Sequence, residues 1–395
     1  MTATLVATIG VIALCAVFDY TNGFHDSANS VATVIATGVL KPRAAVAWAA
    51  GWNFVAFMVF GTAVANTVAT VVNEGDISLA LIFAAVAGAT IWNLISWHFG
   101  LPTSSSHALV GGLVGAGLVA GGWDAISLSA VRKVAIFIVV SPLVGMLLAM
   151  TLMATLRLVT RGGDGPRVQS FFRRGQLFSS AALSLGHGGN DAQKTMGVVA
   201  AVLITTGHLQ GGSDIDIPLW VVLLAHGAIA AGTYAGGWRI VHTMGGRITE
   251  LRPLSGFAAE SSAAIALFGS TAVGAPVSTT QTVAGGIGGA GIANPASDVD
   301  WRVFGHLVSA WVITLPLAAL ISAGTFVVTV HLPPVVAGIA ITFGFLVAGW
   351  LTFRSMRSAP GADDISALVV AEDEDEHEHE DQVTTTPSSP SSAAG

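Results

Sequence analysis

Two polar phrases recur, each in altered form, in a chain that is otherwise strongly apolar. Residues 22–29 read NGFHDSAN and residues 187–194 read HGGNDAQK. Residues 100–117 read GLPTSSSHALVGGLVGAG and residues 274–291 read GAPVSTTQTVAGGIGGAG. The second pair agrees at 8 of 18 positions with an offset of 174, and Pro142 and Pro316 lie the same distance apart. The first pair is offset by 165, from Asp26 to Asp191. Hydrophobic segments broken by Gly, Pro and Ser at corresponding places in two halves are the pattern of a secondary transporter, and the breaks mark its binding site.

Composition supports a membrane setting. Charged residues are 10% of the chain and hydrophobic residues 53%, whereas a soluble domain carries roughly 25% charge. Nearly uncharged runs cover residues 4–18, 44–72, 79–97, 134–156, 219–238, 303–330 and 335–353, several of them reaching the roughly 20 residues that cross a bilayer. The 47 glycines suit close helix packing and broken helices in lipid. The net charge of −7 comes largely from the acidic stretch EDEDEHEHED at residues 372–381 and gives no reason to expect nucleic acid. A single cysteine, Cys15, excludes an intramolecular disulfide. The first apolar run lacks a basic n-region and cleavage site and reads as a retained membrane helix.

The distribution of Lys and Arg orients the chain. Arg157, Arg161, Arg167, Arg173 and Arg174 separate the halves and are expected in the cytoplasm. Counting crossings from that anchor gives an all-α integral membrane protein of two inverted-topology repeats, with broken helices and two re-entrant helical hairpins. The expected division is repeat one at 1–156, an Arg-rich cytoplasmic linker at 157–174, repeat two at 175–330, a C-terminal membrane helix at 331–357 and a disordered acidic, His-containing tail at 358–395. Arg132 and Lys133 alone fall on the wrong side. The multi-pass protein belongs in the plasma membrane, surrounded by lipid. The HEHE stretch at 377–380 reads as part of a solvated tail rather than a metal site.

Asp26 and Asp191 occupy equivalent places, preceded by His25 and Asn190. A buried carboxylate costs about 2.5–3.5 kcal/mol on insertion scales, so a duplicated pair points to a coupling cation, H⁺ or Na⁺; simple capping of broken helices is the alternative. The hairpins are expected to turn at Pro102 and Pro276, which stop the incoming half-helices. The hydroxyl residues after them, Ser104, Ser105, Ser278, Thr279 and Thr280, open the next ones. Helix starts present free N–H groups and a positive dipole end, a site for a tetrahedral oxyanion, unless the hydroxyls act only as N-caps. Lys194 can neutralise Asp191 or Glu260, or touch the anion, and Glu260 is a further candidate ion ligand. His107, His226 and His306 read as helix-packing residues, and the repeated glycines as packing surfaces.

At NGFHDSANSVAT, SLGHGGNDAQKT, GLPTSSSH and GAPVSTTQ the chain resembles the inorganic phosphate transporter (PiT) family, in particular the bacterial low-affinity Pit-type permeases, over about residues 1–357. The resemblance implies that Asp26 and Asp191 serve the coupling ion. It assigns Ser104, Ser105, Ser278, Thr279 and Thr280 to phosphate, with Asn29 and Asn190 supporting both. His25 stands where the family's GAND signature has Asn, which weakens an Na⁺ site and favours H⁺ coupling. The resemblance also implies that Mg²⁺ or Zn²⁺ can travel with phosphate as a neutral complex, and that a homodimer is plausible; no bound cofactor is implied. The expected activity is H⁺-coupled phosphate symport by alternating access, with Na⁺-coupled phosphate or sulfate symport as the alternative. An intramembrane hydrolase using Ser105 or Ser106 with His107 is disfavoured, because Gln281 replaces the base in the second tip.

Overall fold

A computed structural model describes residues 3–73, 75–161, 165–212, 215–294, 299–358 and 361–362. The acidic tail expected from residue 358 onward falls almost wholly outside them. Among the described residues there is no β-strand; an isolated antiparallel bridge joins Val72 to Ile126. Everything else is helix and connection.

The first half runs α1 (Ala3–His25), α2 (Ser27–Ala36), α3 (Pro42–Val55), α4 (Ala63–Ala69), the hairpin α5 (Leu79–His98) and α6 (Ser105–Gly121), and the long α7 (Leu128–Val159). The second half repeats that order with α8 (Pro166–Thr205), α9 (Leu219–Ala235), α10 (Trp238–Gly246), the hairpin α11 (Pro253–Ala272) and α12 (Thr279–Ile292), and α13 (Trp301–His331). An additional α14 (Pro334–Ser358) follows. Among the described residues, six helices or joined spans are long and apolar enough to cross a membrane. Two bent pairs extend the number to eight: α3 with α4 at 86° and α9 with α10 at 74°. The chain is thus a multi-pass membrane protein, and each half carries one bent pair where the sequence suggests a plain crossing.

The halves are interleaved. The long α7 of the first packs on α11 and α12 of the second, and α13 packs on α5 and α6 of the first. Repeated glycines make this possible. A Cβ on Gly115 would strike the backbone at Ala319, and one on Gly289 the backbone at Met146. Gly115→Val and Gly289→Val should therefore each lower stability by about 1–3 kcal/mol, the usual cost of overpacking. Thermal unfolding of detergent-purified protein measures this; an unchanged midpoint in both variants would show that the helices can part without penalty.

The hairpin turns are made differently from the sequence expectation. α5 and α11 end before Pro102 and Pro276 are reached. Gly100 and Gly274 adopt φ of +66° and +65°, where glycine is not penalised. The Gly100 and Leu101 N–H groups donate to Trp97 and Ser96 carbonyls, and those of Gly274 and Ala275 to Thr271 and Ser270. These are Schellman ends, so glycine stops each half-helix and proline only follows it. Lys133 finds its reason here. From α7 its Nζ donates to the Gly274 carbonyl at 3.0 Å, a cation at a helix C-terminus, which explains a positive charge at odds with the distribution rule.

The break at Asp26 separates α1 from α2, but Asp191 lies inside the unbroken 40-residue α8. At 1.5 Å per residue α8 is about 60 Å long, twice the hydrocarbon thickness of about 30 Å. The Arg-rich connection is correspondingly short: α7 continues to Val159 and α8 starts at Pro166.

Candidate functional site

The polar phrases meet where α2, α6, α8 and α12 converge. Ser104 and Ser278 accept hydrogen bonds from the backbone N–H groups of His107 and Gln281, both at 3.3 Å. They are N-caps, each with an extended backbone. The caps set the helix starts so that the next two residues of each tip, Ser105 and Ser106 or Thr279 and Thr280, project inward with N–H groups that helix geometry leaves without intrahelical acceptors. The tips touch: Ser106 donates to the Val277 carbonyl at 3.1 Å.

Both carboxylates are claimed by the tips. Ser105 donates to Asp26 Oδ2 at 2.9 Å, and Thr280 lies 3.4 Å from Oδ1. Asn29 Nδ2 donates to Thr280 Oγ1 at 2.9 Å, completing a relay from amide through hydroxyl to carboxylate. Thr279 donates to Asp191 Oδ1 at 3.0 Å. Thus the second tip reaches both repeats' aspartates, and Ser106 of the first tip reaches Lys194 of the second half.

His25 Nδ1 lies 2.8 Å from Asp26 Oδ1. An ionised carboxylate only accepts, so Nδ1 donates to it, and Nε2 lies 3.1 Å from Ser96 Oγ and 3.3 Å from Thr103 Oγ1. Lys194 pairs with Asp191 and also donates to the Val277 carbonyl at 3.0 Å. It therefore ties Asp191 to the second tip rather than serving Glu260.

All these groups are sealed from solvent; Asp26 is 2% and Asp191 0% exposed. One ligand atom each from Asp26, His187 and Asp191 lies within 4.8 Å of the others. With both carboxylates ionised, Lys194 charged and the histidines uncharged, the site would be net negative. An anion entering a dry site of that sign is repelled strongly, because Coulomb energy at 4 Å grows from about 1 kcal/mol in water to about 4 kcal/mol at an effective dielectric of 20.

Two expected site residues stand apart. Glu260 accepts from Thr33 at 2.6 Å and Gln176 at 3.0 Å, and also from Ser179. It forms its own buried cluster between α2, α8 and α11, away from the aspartate pair. Asn190 turns toward α11, donating to Thr271 at 2.9 Å and the Ala275 carbonyl at 3.2 Å; it braces the second turn instead of meeting the tips. Conversely, His187 joins the centre, 3.4 Å from Asp191 Oδ2 and 3.0 Å from Ser30 Oγ. Its place four residues before Asp191, on the same face of a helix, was the available signal. Ser106 is the other addition. His107 receives no proton path from it, since the Ser106 hydroxyl is directed to Val277.

The model of a family described as the phosphate transporter family matches residues 22–322. A Rhizobium meliloti protein described as a probable low-affinity inorganic phosphate transporter is 50% identical over 316 residues, covering 80% of this chain and 94% of that protein. Proteins of the same description are 42% identical in Mycobacterium tuberculosis H37Rv, covering 90% and 86%, and 38% identical in Bacillus subtilis, covering 82% and 97%. Among solved structures, one titled the sodium-dependent phosphate transporter superposes with a TM-score of 0.77 at 24% identity, covering 83% of this chain and 100% of that one. That likeness is one of fold.

Proposed function

This chain belongs to the phosphate transporter family, transporters rather than enzymes, and we propose that it carries inorganic phosphate by proton-coupled symport with alternating access. The observation that carries this reading is that two hydroxyl-bearing helix starts close directly on two buried carboxylates.

Phosphate and the aspartates compete for one set of donors. Phosphate is held by the Ser105, Thr279 and Thr280 hydroxyls, the N–H groups at the two helix starts and the Lys194 ammonium. Each of those groups that turns to phosphate is withdrawn from Asp26 or Asp191. A buried carboxylate stripped of donors takes up a proton, so anion entry and proton entry are linked by hydrogen-bond exchange. His25 favours the proton over Na⁺, because it offers Asp26 an N–H where an amide would offer an oxygen. The interleaved halves then rock about this fixed centre. The exposed apolar faces of α7 and α13, including Leu147 and Leu320, lie against lipid. The convergence of Asp26, His187 and Asp191 also suits a divalent cation arriving as part of a metal–phosphate substrate.

Purified protein in proteoliposomes tests the reading. An inward proton gradient without Na⁺ should accumulate radiolabelled phosphate, an uncoupler should collapse the accumulation, and excess sulfate should leave it unaffected. Uptake that requires Na⁺ would overturn the choice of ion, and displacement by sulfate the choice of substrate.

A further inference from the structure

Asp19 lies on α1 two turns before Asp26, and neither the mechanism nor the repeated phrases account for it. It is 0% exposed. Neither of its carboxylate oxygens has a hydrogen-bond partner, and no ion-pair partner for it is present among the described residues. Such a group is expensive to bury as an anion.

Its neighbours share the deficit. Thr195 of α8 and Asn22 of α1 are the side chains that approach its carboxyl group. Thr195 Oγ1 and Asn22 Oδ1 also lack partners. On α5, which packs against α1, Asn93 leaves both amide atoms unpaired. Asn93 precedes Ser96 by one turn, as Asn22 precedes His25, and Ser96 and His25 are in contact. Three buried polar side chains from α1 and α8 thus present unmet hydrogen-bonding capacity around Asp19, and Asn93 adds more on the neighbouring α5.

None of the charged and titratable groups around Asp19 forms an ion pair with it. On α8 they are His187, Asp191 and Lys194. Lys194 is committed to Asp191, Ser106 and the Val277 carbonyl, and His187 to Ser30 and Asp191. On α9 the group is His226, whose Nδ1 faces the Val222 carbonyl. On α5 it is His98, at the helix end and bonded to the Leu351 carbonyl. Cys15 lies one turn back on α1 itself, and His25 and Asp26 two turns ahead belong to each other.

We propose that Asp19 is a second proton-binding carboxylate of the transport cycle, one that takes a coupling proton without touching phosphate. A neutral carboxyl group satisfies this chamber in one step. Its O–H donates to Asn22 Oδ1, an acceptor otherwise unused, and Thr195 O–H donates to the remaining carboxyl oxygen. Asp19, Asn22 and Asp26 follow at i, i+3 and i+7, the spacing of one helix face, so the proton is held about 10 Å along that face from the substrate carboxylate. The inference rests on the proton-coupled reading above.

The test compares wild type with Asp19→Asn in proteoliposomes. Phosphate exchange, with phosphate on both sides and no gradient, should persist in the variant, because the tips are untouched. Accumulation driven by a one-unit pH gradient should fall by about tenfold for each proton uncoupled. Infrared spectra should show the C=O stretch of a protonated carboxyl in the wild type and its loss in the variant. Gradient-driven accumulation equal to wild type would overturn the assignment while leaving proton coupling intact. Failure of the wild type itself to respond to the gradient would instead defeat the transport reading, and this inference with it. Loss of exchange in a correctly folded variant would make Asp19 part of phosphate binding or of the fold, and would also overturn the proposal. If Asp19→Asn fails to insert, the wild-type spectrum decides: absence of the protonated band at neutral pH, or its disappearance when Na⁺ is added, rules the proton site out.

Discussion

Asp26→Asn should abolish gradient-driven phosphate uptake, by on the order of 100-fold, while the protein still reaches the membrane in normal amount. The carboxylate is met by three donors: His25 Nδ1 at 2.8 Å, Ser105 at 2.9 Å and Thr280 at 3.4 Å. Asparagine keeps the shape but replaces one acceptor oxygen with an NH₂ group, which faces a donor in this ring. Hydrogen bonds to a charged group contribute about 1.5–3 kcal/mol, so loss of one or two reaches the 100-fold scale. The larger consequence is chemical. An amide cannot take up the proton that compensates for phosphate entry, so the coupled step disappears even where binding survives. Radiolabelled uptake set against membrane abundance separates these effects. Normal accumulation by the variant would remove Asp26 from the coupling role.

Lys194→Met should be the most destabilising of the single changes at the centre. Lys194 is the ammonium that balances Asp191, and it fastens both tips through Ser106 and the Val277 carbonyl. Removing one member of a buried ion pair leaves an uncompensated charge, at a cost of about 3–5 kcal/mol. The double change Lys194→Met with Asp191→Asn removes that charge and should recover most of the lost stability, yet remain transport-dead, because the site then lacks both the cation that meets phosphate and the carboxylate that responds to it. Unfolding midpoints of the two variants in detergent measure the recovery. Equal midpoints for the single and double variants would show that Asp191 does not depend on Lys194 in the fold. Active uptake by the double variant would show that neither residue is needed in the cycle.

Much of the architecture was legible in the chain because membrane folding obeys a strict constraint. Backbone groups in lipid must be satisfied within helices, so uncharged runs map directly onto α1, α5, α7, α13 and α14. The duplication gave the second half by comparison with the first. The bent pair α3–α4 was not visible, since a bend of 86° leaves the apolar run at residues 44–72 uninterrupted, and α10 fell outside the run at residues 219–238 because Arg239 ends it. The hairpin stops were assigned to Pro102 and Pro276, but the Schellman ends at Gly100 and Gly274 show only through hydrogen bonds made after the helix has formed.

For the site, residue type and repetition by themselves determined which side chains were the candidates: Asp26 and Asp191 as duplicated charges where charge is costly, and the Ser/Thr tips as helix starts. Spacing cannot say which partner a side chain turns toward, because contacts such as Thr280 with Asn29 join residues 251 apart in the chain. Only the tertiary structure decided that Ser104 and Ser278 cap while Ser105 and Thr279 reach the carboxylates, that Lys194 closes on Asp191, that Glu260 and Asn190 stand elsewhere, and that His187 belongs to the centre. The physical reason is that a hydrogen bond is satisfied by whichever group the packing brings within about 3 Å, and in an interleaved fold that group comes from the other half of the molecule.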